Sequence, residues 1–91
     1  MDYELNDVQF DILDALYFVE SYAHVLADTD FHPEPVVRAE LKTLIDRGWV
    51  QVMYFDEAKG DYARTGIYDL DNMHELFFLA TKEGLLRHNG R

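Results

Sequence analysis

Through the first twenty residues, Leu5, Val8, Ile12, Leu16 and Val19 recur at helical spacing between polar and acidic side chains. That period predicts an amphipathic helix with one buried face. Asn6, with Gln9 three residues on, has the layout of a capping box at its start. Phe10, Leu13 and Tyr17 form a second apolar stripe about a third of a turn away, wider than a single core face requires. A neighbouring surface is expected there, and a homodimer packing the first helices of two chains would supply one. After a break near Glu20-Ser21, the segment Tyr22–Ala27 predicts a short second helix ending in the turn-like cluster Asp28-Thr29-Asp30.

A third helix follows, with Val37, Leu41, Leu44 and Ile45 at i, i+4, i+7 and i+8. Pro33 suits the first helical position, Glu34 suits the positive end of the dipole, and with His32 as cap, Phe31 and Val36 would form a hydrophobic staple. Gly48 stands where a left-handed residue ends a helix, and Trp49–Phe55 continues in strand-forming types. Leu76–Ala80 predicts a second strand, and Thr81 caps a final helix. The strands are separated by roughly twenty residues, longer than an ordinary hairpin loop. That stretch holds a turn signal at Lys59-Gly60-Asp61 and a weakly alternating segment, Tyr62–Tyr68, which is either a further strand or open loop. Phe77 and Phe78 point to opposite faces of their strand, and Val50, Val52 and Tyr54 alternate with Gln51, Met53 and Phe55. Both faces of the sheet are therefore partly apolar, and the outer rings are candidate interface surface.

The helix running through Leu41-Lys42-Thr43-Leu44-Ile45-Asp46-Arg47-Gly48-Trp49-Val50, with the strand-to-helix step Leu79-Ala80-Thr81-Lys82-Glu83-Gly84-Leu85, resembles the winged helix-turn-helix superfamily, as in MarR-like and PadR-like bacterial regulators. The likeness covers about residues 5–88 and implies an α+β fold: a three-helix bundle with a helix-turn-helix, a β-hairpin wing and a C-terminal helix, forming one domain over residues 1–91. By matching position it puts Arg38, Ala39, Lys42 and Thr43 of the third helix toward double-stranded DNA, with Lys59 and Arg64 on the wing.

Charge changes that picture. Eight Lys and Arg stand against 18 Asp and Glu, a net charge of −10. Residues 1–30 carry −8 with no Lys or Arg, and residues 31–91 carry −2. Affinity for nucleic acid rests on cations that displace counterions, so duplex binding by this chain is expected to be weak. Within the third helix, Arg38, Lys42 and Arg47 are offset by Glu34, Glu40 and Asp46. Two functions follow: a small DNA-binding transcriptional regulator acting as a homodimer, or a winged-helix protein-interaction module that does not bind DNA. Adaptation to a salty cytoplasm is a further source of acidity that would leave function untouched.

Enzyme chemistry finds no support. There is no glycine-rich phosphate loop and no nucleophile elbow. His24, His32, His74 and His88 fall on different elements without metal-ligand spacing, and are read as exposed or capping residues. Asp28-x-Asp30 lacks the glycine and terminal glutamate of a calcium loop. Asp7, Asp11 and Asp14 read as a solvated helix face. No cofactor is expected. The lack of cysteine excludes disulfides and thiolate metal sites, and with an acidic N-terminus and no apolar run long enough to span a bilayer, the expected place is the cytoplasm, away from membranes.

Overall fold

The computed structural model describes residues 5–69 and 71–90. Among the described residues, four helices pack against one face of a four-stranded antiparallel sheet. The elements are α1 (Asp7–Ala15), β1 (Glu20–Ser21), α2 (Tyr22–Asp28), α3 (Glu34–Asp46), β2 (Val50–Asp56), β3 (Asp61–Thr65), a 3-10 turn at Met73–Glu75, β4 (Phe77–Ala80) and α4 (Lys82–Asn89). Strand order across the sheet is β1-β4-β2-β3. No described helix is long and apolar enough to cross a membrane.

Local chemistry accounts for most boundaries. The capping box at Asn6 forms: the Gln9 backbone N–H donates to Asn6 Oδ1 (2.8 Å), and the Asn6 N–H donates to Gln9 Oε1 (3.1 Å). Leu5, Ile12, Leu13 and Leu16 are buried, but α1 stops at Ala15 and does not reach Val19. The chain leaves the helix there because Glu20 and Ser21 pair with Phe78 and Phe77 at the sheet edge, and the Ser21 hydroxyl then caps α2.

The start of α3 differs from expectation. Pro33 is itself the cap position, and no side chain bonds the first turn. His32 Nε2 lies 2.8 Å from Asp11 Oδ2 instead, and Phe31 and Val36 are both exposed. With Pro at positions 33 and 35, the first turn has fewer N–H groups for a cap to satisfy. The rest of α3 matches its period: Val37, Leu41 and Leu44 are fully buried. Gly48 ends it at φ +80°.

The long connection resolves into a hairpin. β3 pairs with β2 from Val52↔Thr65 to Asp56↔Asp61, and the Asp56 carboxylate accepts the Ala58 N–H within the turn. β2 also pairs with β4, from Val50↔Ala80 to Met53↔Phe77. The inner row of Val50, Val52, Phe78 and Ala80 joins the helices in a single core with Val25, Trp49 and Met73.

Two polar clasps tie this core together. Glu40 on α3 accepts from Asn6 Nδ2 (3.1 Å) and Gln9 Nε2 (3.0 Å), holding α1 across α3. Thr81 caps α4 through Gly84 N–H (3.1 Å) while its hydroxyl donates to the Gly48 carbonyl (2.8 Å) and its backbone N–H to Trp49 (3.0 Å). The end of α3 and the start of α4 are thereby fixed to each other.

Candidate interaction surfaces

The residues that resemblance turned toward DNA do not gather into a basic strip. On α3, Arg38 pairs with Glu34 (3.8 Å) and Lys42 with Asp46 (2.5 Å), each across one helical turn. The Thr43 hydroxyl donates back to the Ala39 carbonyl (3.2 Å), while Ala39 is exposed. Lys59 sits in the β2–β3 turn, and Arg64 lies on the outer sheet face opposite Met53. The cations are thus divided among a helix, a turn and a sheet face, and those on the helix already have partners.

Both acids at the ends of α3 are engaged a second time. Glu34 accepts a short hydrogen bond from the Tyr22 hydroxyl. Burial first, then that bond and the charge of Glu34, raises the Tyr22 hydroxyl above its ordinary range, with Arg38 opposing. Asp46 accepts from Lys42 Nζ and from Tyr68 Oη (2.5 Å). The Lys42 hydrogen bond first, and that from Tyr68 second, hold its carboxyl below the ordinary value. Tyr68 is pushed up to about 12, by burial first and then by Asp46. An open cleft of about 270 Å³ lies beside this pair, with Gln51, Arg64 and Thr65 among its walls.

The stripe assigned to a homodimer meets its own chain. Leu13 is fully buried, Phe10 stacks on His88 at 4.2 Å between ring centres, and Tyr17 Oη lies 2.9 Å from His88 Nδ1 and donates to Asn89 Oδ1 (3.1 Å). The neighbour is α4, brought onto α1 by the Thr81 clasp, so the stripe gives no ground for a second copy. His88, expected to be exposed or capping, is only 9% exposed. Its Nε2 is 3.2 Å from Asp14 Oδ1 but is not oriented for a hydrogen bond.

Of the aspartates read as a solvated face of the first helix, Asp7 and Asp14 are exposed and Asp11 is half-buried. Asp11, Asp14 and Asp28 line an open cleft of about 350 Å³ with Ala15 and the exposed Phe31. Asp11 faces His32 and Asp14 faces His88, each from a distant part of the chain, while Asp28 lies 3.8 Å from His24 one turn earlier on its own helix. Among the described residues, no group of three or more His, Cys, Asp or Glu is placed to hold a metal.

The outer face of the sheet carries a cluster of apolar side chains, part of it open. Register puts Met53 and Phe55 of β2, Tyr62 of β3, and Phe77 and Leu79 of β4 on the side away from the helices. Phe55 and Tyr62 are exposed, at 45% and 37%. Their rings touch at 5.3 Å between centres, and Tyr62 reaches Phe77 at 4.9 Å, both edge to face. Alternation marks Phe55 and Phe77 in the sequence, but Tyr62 joins them only through the pairing of β3. No known family, curated protein or solved structure matches the chain.

Proposed function

We propose that this chain is a protein-interaction module on a winged-helix scaffold, presenting the outer face of its sheet rather than α3. The order helix, short strand, two helices, hairpin and final strand, with β1 and β2 flanking β4, supports the winged-helix reading. One observation carries the function: Phe55 and Tyr62 are exposed and make an aromatic cluster with the half-buried Phe77, while the two cations of α3 are held by acids of the same helix. A duplex would have to displace Glu34 and Asp46 and overcome the repulsion of a chain of net charge −10. An apolar partner on the sheet faces no such barrier, and aromatic clusters are enriched where proteins meet.

The test places a photo-crosslinking side chain at position 55 or position 39 and irradiates cells. Protein adducts are expected from position 55 and not from position 39. In parallel, fluorescence anisotropy with random-sequence duplex at low ionic strength should show no saturable binding. Duplex binding with a log–log salt slope of about −2 to −4, abolished by replacing Arg38 and Lys42 together, would instead establish the DNA-binding regulator.

A further inference from the structure

We infer that the outer sheet face takes a short apolar protein segment bearing one carboxylate, and that Arg64 is the residue that selects it. This rests on the protein-interaction reading and adds the chemistry of the partner. Arg64 stands opposite Met53 and two residues from Tyr62, so its side chain leaves the sheet beside the aromatic cluster. It is exposed. Among the described residues it makes no ion pair, whereas Arg38, Lys42 and Arg87 are each tied to an acid one turn away. Lys59 and Lys82 also lack an ion pair among the described residues, but they sit in the β2–β3 turn and at the start of α4, whereas register sets Arg64 on the apolar face.

The physical consequence concerns water. A segment laid over Met53 and Phe55 strips solvent from the neighbouring guanidinium, and a desolvated charge without a partner opposes binding. A carboxylate in that segment removes the penalty, because the planar fork of arginine can donate two parallel hydrogen bonds to it. The same surface limits the acidity of the partner. Asp56, Glu57 and Asp61 stand at the hairpin end of the sheet, next to the face rather than on it, and the net charge of the chain repels a strongly acidic segment at range. One carboxylate among apolar side chains satisfies both conditions. A single nucleic-acid strand satisfies neither: its phosphates meet those acids, and rings packed edge to face do not offer the parallel platforms on which successive bases stack.

The experiment pans random displayed dodecapeptides against the immobilised chain and measures the selected peptides by anisotropy. The expected consensus joins aromatic or aliphatic positions to a single Asp or Glu. Arg64→Glu should weaken those peptides by about tenfold or more and turn the selection toward Lys or Arg. Phe55→Ser should abolish binding, with an unchanged urea midpoint for both variants showing that the fold persists. Basic or uncharged peptides bound at Phe55, or indifference to Arg64→Glu, would overturn the inference and leave the protein-interaction reading standing. So would a dimer in sedimentation that Phe55→Ser dissolves, since a second copy would then own the face. Failure to select any peptide, or a single-stranded oligonucleotide saturating the face, would overturn the inference. Duplex DNA binding through Arg38 and Lys42 would sink the reading beneath it.

Discussion

Replacing Gly84 by alanine separates what helix chemistry expects from what packing imposes. In a helix, alanine is favoured over glycine by about 0.5–1 kcal/mol, so on local grounds Gly84→Ala should stabilise α4. The packing reverses the sign. A Cβ at position 84 would lie 2.0 Å from the Trp49 carbonyl oxygen, 2.9 Å from its carbon and 3.2 Å from its Cα. These are backbone atoms at the start of β2, without a flexible side chain to turn aside. Restoring ordinary contact requires α4 to retreat by roughly 1 Å, enough to forfeit much of the local packing. That movement strains the bonds from Thr81 to Trp49 and Gly48, each contributing about 1 kcal/mol. Overpacking by one methyl adds about 1–3 kcal/mol. Net destabilisation should be about 2–4 kcal/mol. Urea unfolding followed by far-ultraviolet circular dichroism, with Trp49 fluorescence alongside, reads it directly. Glu83→Ala, one residue away and exposed, is the control and should stay within about 0.5 kcal/mol of the parent. An alanine variant as stable as the parent would show that α4 does not seat on the Trp49 backbone, and the account of the Thr81 clasp would fall with it.

Other perturbations test separate parts of the structure. Leu41→Ala, at a fully buried position, should cost about 2–5 kcal/mol, and Lys42→Ala, which removes only a surface ion pair, less than about 1 kcal/mol; the reverse order in urea melts would refute the phase of α3. Glu40→Ala leaves Asn6 Nδ2 and the buried Gln9 Nε2 without their acceptor and should cost about 1–3 kcal/mol, whereas a neutral result would mean that α1 is held by apolar packing alone. Tyr68 ionises at about 12 in the folded chain against an ordinary 10.0, so its contribution to stability is present below pH 10 and lost as the pH rises toward 12. Subtracting the 295-nm titration of Tyr68→Phe from that of the parent should isolate this late step, and a difference curve centred near 10 would refute the Asp46 contact.

Much of the fold was legible because its signals are local. A capping box at Asn6, a left-handed glycine at position 48, a capping threonine at position 81 and the period of Val37, Leu41 and Leu44 each depend on residues within one or two turns, and the structure realises all of them. Alternation along Val50–Phe55 likewise marked an outer row of apolar side chains. The contacts that shape the candidate surfaces join residues far apart in the chain, and a linear pattern cannot rank them. The stripe Phe10, Leu13 and Tyr17 shows correctly that a face must be covered, but covering by α4 or by another chain removes the same apolar area from water, so periodicity cannot choose between them. Only the seating of Gly84 on Trp49 brings His88 over Phe10. Pro33 and Pro35 left the first turn of α3 open to more than one cap, and the position of Asp11 drew His32 away. Arg64 is one of eight cations in the sequence. Its place beside Met53 and Tyr62 follows from the register of β3 on β2, because strand pairing fixes which distant side chains share a face.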